Sequence, residues 1–367
     1  MIYLALLMRV AIDARHLGQG RGIARYLEEM LAALAANFSD DEWVAVVPGD
    51  RQVTVPDGVE LRQSRMRSKP LFATAALTGV PRLEKLAGGA DVSWVPAPAP
   101  VACGRSTPYV LTIHDLSFEL RPADFTAYER RWLKAARPRR LAERAACIVV
   151  DSDATATDLV EAGWLHRADQ LAVIRAAPSS ALREAGTQAA APGGGEHLLY
   201  VGALEPRKGL DTLAEAVVIA RRSGLTAPLL VVGEGRLAGE LDAVPGVRLL
   251  GRQSDEELAQ LYAAALALVM PSRLEGFGLP PVEAAAHGVP SVTSDLPVFR
   301  ETLGDAALTF PVGNADALAK ALVLISGDSG LRARIGGDAR LAVSKLTWDS
   351  AAASLRAVLA EAAGDRK

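Results

Sequence analysis

The chain has 367 residues, half of them hydrophobic, and a formal net charge of −3. That length exceeds one typical core and suits two domains, and that hydrophobic content excludes a disordered chain. The near-neutral balance argues against a general nucleic-acid binder, which needs a broadly basic footprint, and leaves small molecules or a local surface as partners. Cys103 and Cys147 lack metal-ligand spacing and allow at most one bridge. Both read as reduced structural thiols of a cytoplasmic protein.

No apolar run reaches the roughly 18 to 20 residues of a membrane helix. Residues 2–7 lack a basic n-region and a clear small-residue cleavage site, which argues against a signal peptide. Met8 opens Arg9 to Ala14, an apolar run that reads as the first strand, and Met8 is the expected natural start. Further buried strands are expected at 43–48, 91–95, 109–113 and 147–150. Between the first two lies a helix with Ile23, Tyr26, Leu27, Met30, Leu31 and Leu34 at i, i+3, i+4, i+7, i+8 and i+11, one continuous apolar face. Strand alternating with helix implies a parallel sheet covered on both sides.

Function in such sheets collects just past the carboxyl ends of the strands. Two features of the N-terminal half stand there. Gly18-Gln19-Gly20-Arg21-Gly22 follows the first strand, a glycine-rich turn that does not complete a dinucleotide fingerprint. His114-Asp115 follows the strand at 109–113, as a pair that either packs locally or meets a ligand. Asp151-Ser152-Asp153 has the Asp-x-Asp form of a metal motif, but any acidic loop after a strand produces it, and no metal is expected. Arg130, Arg131, Lys134, Arg137, Arg139, Arg140 and Arg144 surround Trp132, Leu133 and Leu141, and a second basic run holds Arg62, Arg65, Arg67 and Lys69. The 130–144 region is either a solvated helical face, interrupted at Pro138, or a peripheral dock for anionic lipid.

The run Gly186 to Gly195 marks a linker, after which the alternation resumes with strands at 197–201, 229–232 and 267–270. Ser254-Asp255-Glu256-Glu257 is a capping box that opens a helix. The segment Gly202-Ala203-Leu204-Glu205-Pro206-Arg207-Lys208-Gly209 leads from a strand through a basic turn toward a helix, where two adjacent cations suit a diphosphate and stabilise the charge left when a sugar–phosphate bond breaks. In Pro271 to Glu283, two glycines let the backbone approach a ligand, and Pro280 or Pro281 suits the first turn of a helix. Glu283 is expected in that first turn, where its carboxylate can accept from a vicinal diol, while Glu275 is expected on the loop, free to face a sugar.

Glu275 and Glu283 form a Glu-x7-Glu pattern around Gly-Phe-Gly-Leu-Pro. This pattern resembles the signature of retaining glycosyltransferases of family 4. The resemblance covers nearly the whole chain from Met8 and is strongest from Tyr200 to Phe310. It implies a GT-B fold, α/β, with two Rossmann-like doubly wound domains facing across a cleft. The division would be residues 1–185 on the acceptor side, a linker at 186–196, a nucleotide-sugar-binding domain at 197–346, and a terminal helix at 347–367 that returns to the first domain.

The resemblance also implies roles. Glu283 would hold the ribose, Arg207 and Lys208 the diphosphate, the N–H groups of Phe277, Gly278 and Leu279 the phosphate or sugar, and Glu275 and His114 the sugar hydroxyls. Gly20, Gly22 and Gly202 would lie at the donor, and Arg21 and Asp115 on the acceptor side. Ala203 departs from the family, where many members have arginine, and Arg207 stands near enough to take its part. The implied reaction is metal-independent, needs no cofactor, and moves a hexose with retention from GDP-mannose or a UDP-sugar to a saccharide or lipid-linked hydroxyl in polysaccharide or glycolipid assembly. Mannose comes first because the Glu-Pro-Arg-Lys turn resembles bacterial mannosyltransferases. A nucleotide-sugar epimerase of the same fold, or a non-catalytic nucleotide-sugar binding protein, are the alternatives. The implied location is cytoplasmic, with contact at the inner face of a membrane through 130–144.

Overall fold

The computed structural model describes residues 7–20, 22–165, 167, 169–182 and 195–364. The residues before the described Leu7, Arg21, and all of the expected linker except Gly195 and Glu196 lie outside the described residues. The chain divides into two compact units, one formed by residues up to Ala176 together with the segment from Trp348, the other by Ala177–Thr347.

The first unit is built on a parallel sheet of β1 (Arg9–Asp13), β2 (Glu42–Val47), β3 (Val59–Gln63), β4 (Val92–Val95), β5 (Tyr109–Ile113), β6 (Cys147–Val150) and β7 (Leu171–Val173), in the order β3-β2-β1-β4-β5-β6-β7. The five strands expected from apolar runs are its interior. The two not expected are its edges: β3 buries only Val59, and β7 has three half-buried residues, so neither presents a continuous apolar run. Helix Gly22–Asn37 buries Tyr26, Leu27, Met30, Leu31 and Leu34 as its periodicity requires. The C-terminal helix Trp348–Gly364 lies along it and against β4 and β5, with Trp348 edge-on to Tyr26 at 5.7 Å.

The second unit is a parallel sheet of β8 (His197–Val201), β9 (Leu229–Val232), β10 (Val247–Gly251), β11 (Ala265–Met270), β12 (Ser291–Ser294) and β13 (Leu308–Phe310), in the order β10-β9-β8-β11-β12-β13. Every residue of β11 is buried, the mark of a strand covered on both faces. The Ser254 capping box is complete: Ser254 Oγ accepts from Glu257 N, and Ser254 N donates to Glu257 Oε2. Both sheets reverse their winding once, between β1 and β4 and between β8 and β11. At such a point the loops leave the carboxyl ends in opposite directions and open a crevice.

The basic region forms two helices, Ala127–Ala136 and Pro138–Arg144, separated by Arg137 in the left-handed conformation at φ 50°. All seven of its cations are exposed. Trp132 turns inward and meets Phe72 edge-on at 5.0 Å. Among the described residues, no helix is long and apolar enough to cross a membrane.

Candidate active site

The reversal between β8 and β11 brings together the two loops singled out in the sequence. After β8, Pro206–Lys208 makes one tight 3-10 turn and Gly209 leads into helix Leu210–Arg222. After β11, the chain runs from Pro271 to Gly278 before helix Leu279–Ala286. The loops touch backbone to backbone: Gly209 has φ +65°, and a Cβ there would lie 2.0 Å from the Pro271 carbonyl oxygen. Only glycine meets both conditions.

Arg273 ties the two loops. Its backbone N–H donates to Arg207 O at 2.9 Å, Nη1 donates to Pro206 O at 3.0 Å, and Nη2 donates to Asp211 Oδ2 at 2.6 Å. Burial works against the Asp211 carboxylate, but the Arg273 guanidinium and the backbone donors hold its pKa below the usual range. Nothing in the sequence marks Arg273, because its three acceptors are brought to it by another strand.

Across this junction Lys208 Nζ lies 2.5 Å from Glu275 Oε1, and Ser272 Oγ donates to the same oxygen at 2.6 Å. The ion pair is nearly enclosed, with side-chain exposures of 11% for Lys208 and 8% for Glu275. Glu275 is therefore held rather than free, which corrects the sequence expectation. One of its oxygens is engaged. Oε2 has no hydrogen-bond partner among the described residues and is not sealed from solvent. Arg207 and Gly202 are half-buried beside this pair in the chain, and Ala203 is exposed.

At the start of helix Leu279–Ala286, Gly278 adopts φ +83°, and a Cβ there would meet the Phe299 ring at 2.7 Å. Pro280 and Pro281 carry no N–H, so the helix start offers only the N–H groups at and before Leu279. Phe277, Gly278 and Leu279, the three expected donors, are thus the ones the backbone can supply. Glu283 needs a second correction. The helix begins at Leu279, so Glu283 is its fifth residue and lies beyond the first turn. It faces inward at 3% exposure, with Tyr262 Oη donating to Oε2 at 2.9 Å.

In the first unit, His114 bridges the carboxyl ends of three neighbouring strands. Nδ1 lies 2.5 Å from Asp151 Oδ2 after β6, and Nε2 lies 2.9 Å from Pro96 O after β4. With an oxygen on each side, the charged ring can donate from both nitrogens. Burial disfavours that charge, yet Asp151 outweighs it and the pKa is raised. Both ring nitrogens thus face protein oxygens, where the sequence expectation has His114 at a sugar hydroxyl. Tyr26 packs edge-on to the ring at 4.8 Å.

Asp115 Oδ1 accepts from Ser117 N at 2.8 Å and Ser117 Oγ at 2.5 Å at the start of the short helix Ser117–Leu120. The Asp151-Ser152-Asp153 run is divided among local tasks. Asp151 pairs with His114, Ser152 caps helix Asp153–Glu161 through Thr155 N, and Asp153 pairs with Arg175. Gly20 has φ +59° and Gly22 is the exposed first residue of its helix, where a side chain would meet nothing within 4 Å.

The sequence reading missed two neighbours after β1. Arg15 Nε lies 2.8 Å from both carboxylate oxygens of Asp13, and its guanidinium stacks 4.3 Å over Phe72. His16 is held neutral by burial, its pKa lowered to about 4. Polar residues packed directly after a strand's carboxyl end were the available signal.

Two family models match the chain: "Glycosyl transferase 4-like domain" over residues 21–177 and "Glycosyl transferases group 1" over residues 184–342. The chain belongs to the group 1 glycosyltransferases. Its two doubly wound units are those of the GT-B fold.

The O-antigen chain mannosyltransferase B of Escherichia coli is 37% identical over 131 residues, which are 33% of this chain and 34% of that relative. The match thus spans about a third of the relative's own length. Sucrose-phosphate synthase from Thermosynechococcus elongatus superposes with a TM-score of 0.73 at 20% identity, covering 96% of this chain and 98% of that one. Anabaena Alr3699/HepE, in complex with UDP-glucose, superposes with a TM-score of 0.68 at 20% identity, covering 96% and 100%.

Proposed function

We propose that this glycosyltransferase moves a hexose, with mannose the first choice, from a nucleoside diphosphate sugar to a saccharide or lipid-linked hydroxyl with retention at the anomeric carbon. The observation that carries the reading is the meeting of Lys208 and Glu275 where the sheet reverses, a cation for a diphosphate beside a carboxylate for a sugar. The acceptor oxygen forms a bond to the anomeric carbon as the bond from that carbon to the phosphate oxygen breaks. The leaving diphosphate takes the acceptor's proton on the same face, which accounts for retention without a protein nucleophile. Lys208 and Arg207 stabilise the negative charge that grows on the diphosphate, so no metal is needed for that task. The N–H groups of Phe277, Gly278 and Leu279 face the phosphate or sugar, Glu275 Oε2 takes a sugar hydroxyl, and Glu283 holds the ribose through the carboxylate that Tyr262 orients. Similarity to an O-antigen mannosyltransferase supports mannose.

The test is thermal stabilisation by GDP, UDP, GDP-mannose and UDP-glucose in metal-free buffer. A ligand at a hundred times its dissociation constant adds about 2.7 kcal/mol. A selective shift names the base, whereas a folded protein that responds to none of the four removes the donor site and the reading with it.

The protein works, on this reading, at the cytoplasmic face of a membrane, held by the exposed cations of 130–144 at about 1 kcal/mol per well-placed charge. It should co-sediment with phosphatidylglycerol vesicles and not with phosphatidylcholine vesicles. Reversing Arg130, Arg131 and Lys134 to Glu should release it. Equal sedimentation with both vesicle types would exclude this attachment.

A further inference from the structure

We infer that Glu275 discriminates between the donor and the spent nucleotide, weakening the binding of a nucleoside diphosphate that has lost its sugar. The inference rests on the donor-site reading above.

Three observations carry it. Glu275 Oε1 takes both Lys208 Nζ, at 2.5 Å, and Ser272 Oγ, at 2.6 Å. The pair is nearly enclosed, so each charge depends on the other for compensation that solvent cannot fully supply. Oε2 has no hydrogen-bond partner among the described residues and is not sealed, which leaves one carboxylate oxygen able to accept from a ligand hydroxyl.

A bare diphosphate meets this arrangement at a disadvantage. It must draw Lys208 away from Glu275 or share it, and it brings its own negative charge toward an enclosed carboxylate. Nothing on the diphosphate repays Glu275, because its ionised phosphates have no donor to place on Oε2 and the ribose hydroxyls, on the donor-site reading, go to Glu283. The sugar nucleotide differs in two ways. Its sugar hydroxyls donate to Oε2 and restore the compensation that the diphosphate takes from Oε1. Its distal phosphate is esterified, so it carries one negative charge fewer than the free diphosphate. Transfer of the sugar removes the hydroxyls and adds the charge together, and Glu275 turns from partner to repulsive neighbour.

The rest of the junction keeps Glu275 from relaxing out of this position. Arg273 binds the loop that bears Glu275 to the turn that bears Lys208 by two hydrogen bonds, and to Asp211 of the helix that follows by a third. Ser272, which holds Oε1, is itself fixed by Ser294 Oγ donating to its carbonyl at 2.5 Å. A carboxylate that cannot swing away exerts its repulsion in full.

The experiment compares dissociation constants of the nucleoside diphosphate and the matching sugar nucleotide, with the base chosen by the stabilisation panel, for the wild type, Glu275→Gln and Glu275→Asp. Glu275→Gln removes the charge and supplies an amide donor. It should tighten nucleoside diphosphate binding about tenfold while weakening sugar nucleotide binding, so the ratio of the two constants collapses. Glu275→Asp retains the charge and should leave the diphosphate as weak as in the wild type. Product inhibition constants should follow the same order. Should Glu275→Gln fail to fold, Glu275→Ala reads the same ratio. An unchanged or weaker diphosphate affinity in the charge-removed variant overturns the inference, since a purely supporting role for Glu275 predicts loss for both ligands. Absence of binding by any nucleotide in the folded wild type is a different result and overturns the donor site itself.

Discussion

Lys208→Ala is expected to lower kcat by about 10²- to 10³-fold, the loss measured when one preorganised donor is removed from developing negative charge. Lys208 is enclosed, it ends a 3-10 turn whose carbonyls are bonded by Arg273, and Gly209 behind it is locked against Pro271 O. Arg207, next in the chain and half-buried, is expected to sustain part of the binding, so the change in KM should be smaller than the change in kcat. The substitution also strips Glu275 of its counter-charge, so unfolding must be measured alongside turnover. A folded Lys208→Ala enzyme with near-wild-type kcat would remove the leaving-group role.

His114→Leu is expected to destabilise the first unit by about 3 kcal/mol or more, because Asp151 would keep its burial and lose its partner. Asp151 has 5% side-chain exposure, and its Oδ1 already has no partner among the described residues. The pH dependence gives a sharper test. The folded pKa of His114 is raised above its unfolded value of about 6.5, with burial opposing and Asp151 prevailing. The ion pair's contribution is therefore fully present below about pH 6.5 and is lost as pH rises through the folded pKa. Wild-type stability should fall over that upper window, and the deficit of His114→Leu should narrow with it. All five tryptophans, Trp43, Trp94, Trp132, Trp164 and Trp348, belong to the first unit, so their fluorescence in urea follows that unit alone. A wild-type profile flat from pH 6 to 9 would contradict the charged pair.

Legibility differed by element for physical reasons. β1, β2, β4, β5, β6, β8, β9 and β11 announce themselves because a strand covered on both faces must be apolar along its length. β12 has the sequence Ser-Val-Thr-Ser and is fully buried, yet its hydroxyl residues hide it from any apolar pattern. β3, β10 and β13 lie at or near sheet edges with mixed exposure and escape the same reading.

The site was legible as chemistry and only partly as geometry. Lys208 and Glu275 stood out as a cation for phosphate and a carboxylate for sugar, but they are 67 residues apart in the chain, and their contact exists because β8 and β11 are neighbours. Glu283 shows the same limit at shorter range. A glycine cap one residue before Leu279 sets where the helix begins, and that shift of a few residues moves the carboxylate from the first turn to a buried place beside Tyr262.

By itself, then, the sequence determined the alternation of strands and helices, the apolar face of Gly22–Asn37, the capping box at Ser254, and which residue types could serve a sugar nucleotide. These follow from local periodicity and backbone chemistry, which act between residues near in the chain. Only the tertiary structure decided that His114 sits between Asp151 and Pro96, that Arg273 joins the loops after β8 and β11, and that among the described residues one oxygen of Glu275 is engaged while the other is not. Those outcomes depend on which strands the sheet places side by side, and hydrogen-bond partners separated by tens of residues leave no periodic trace in a single chain.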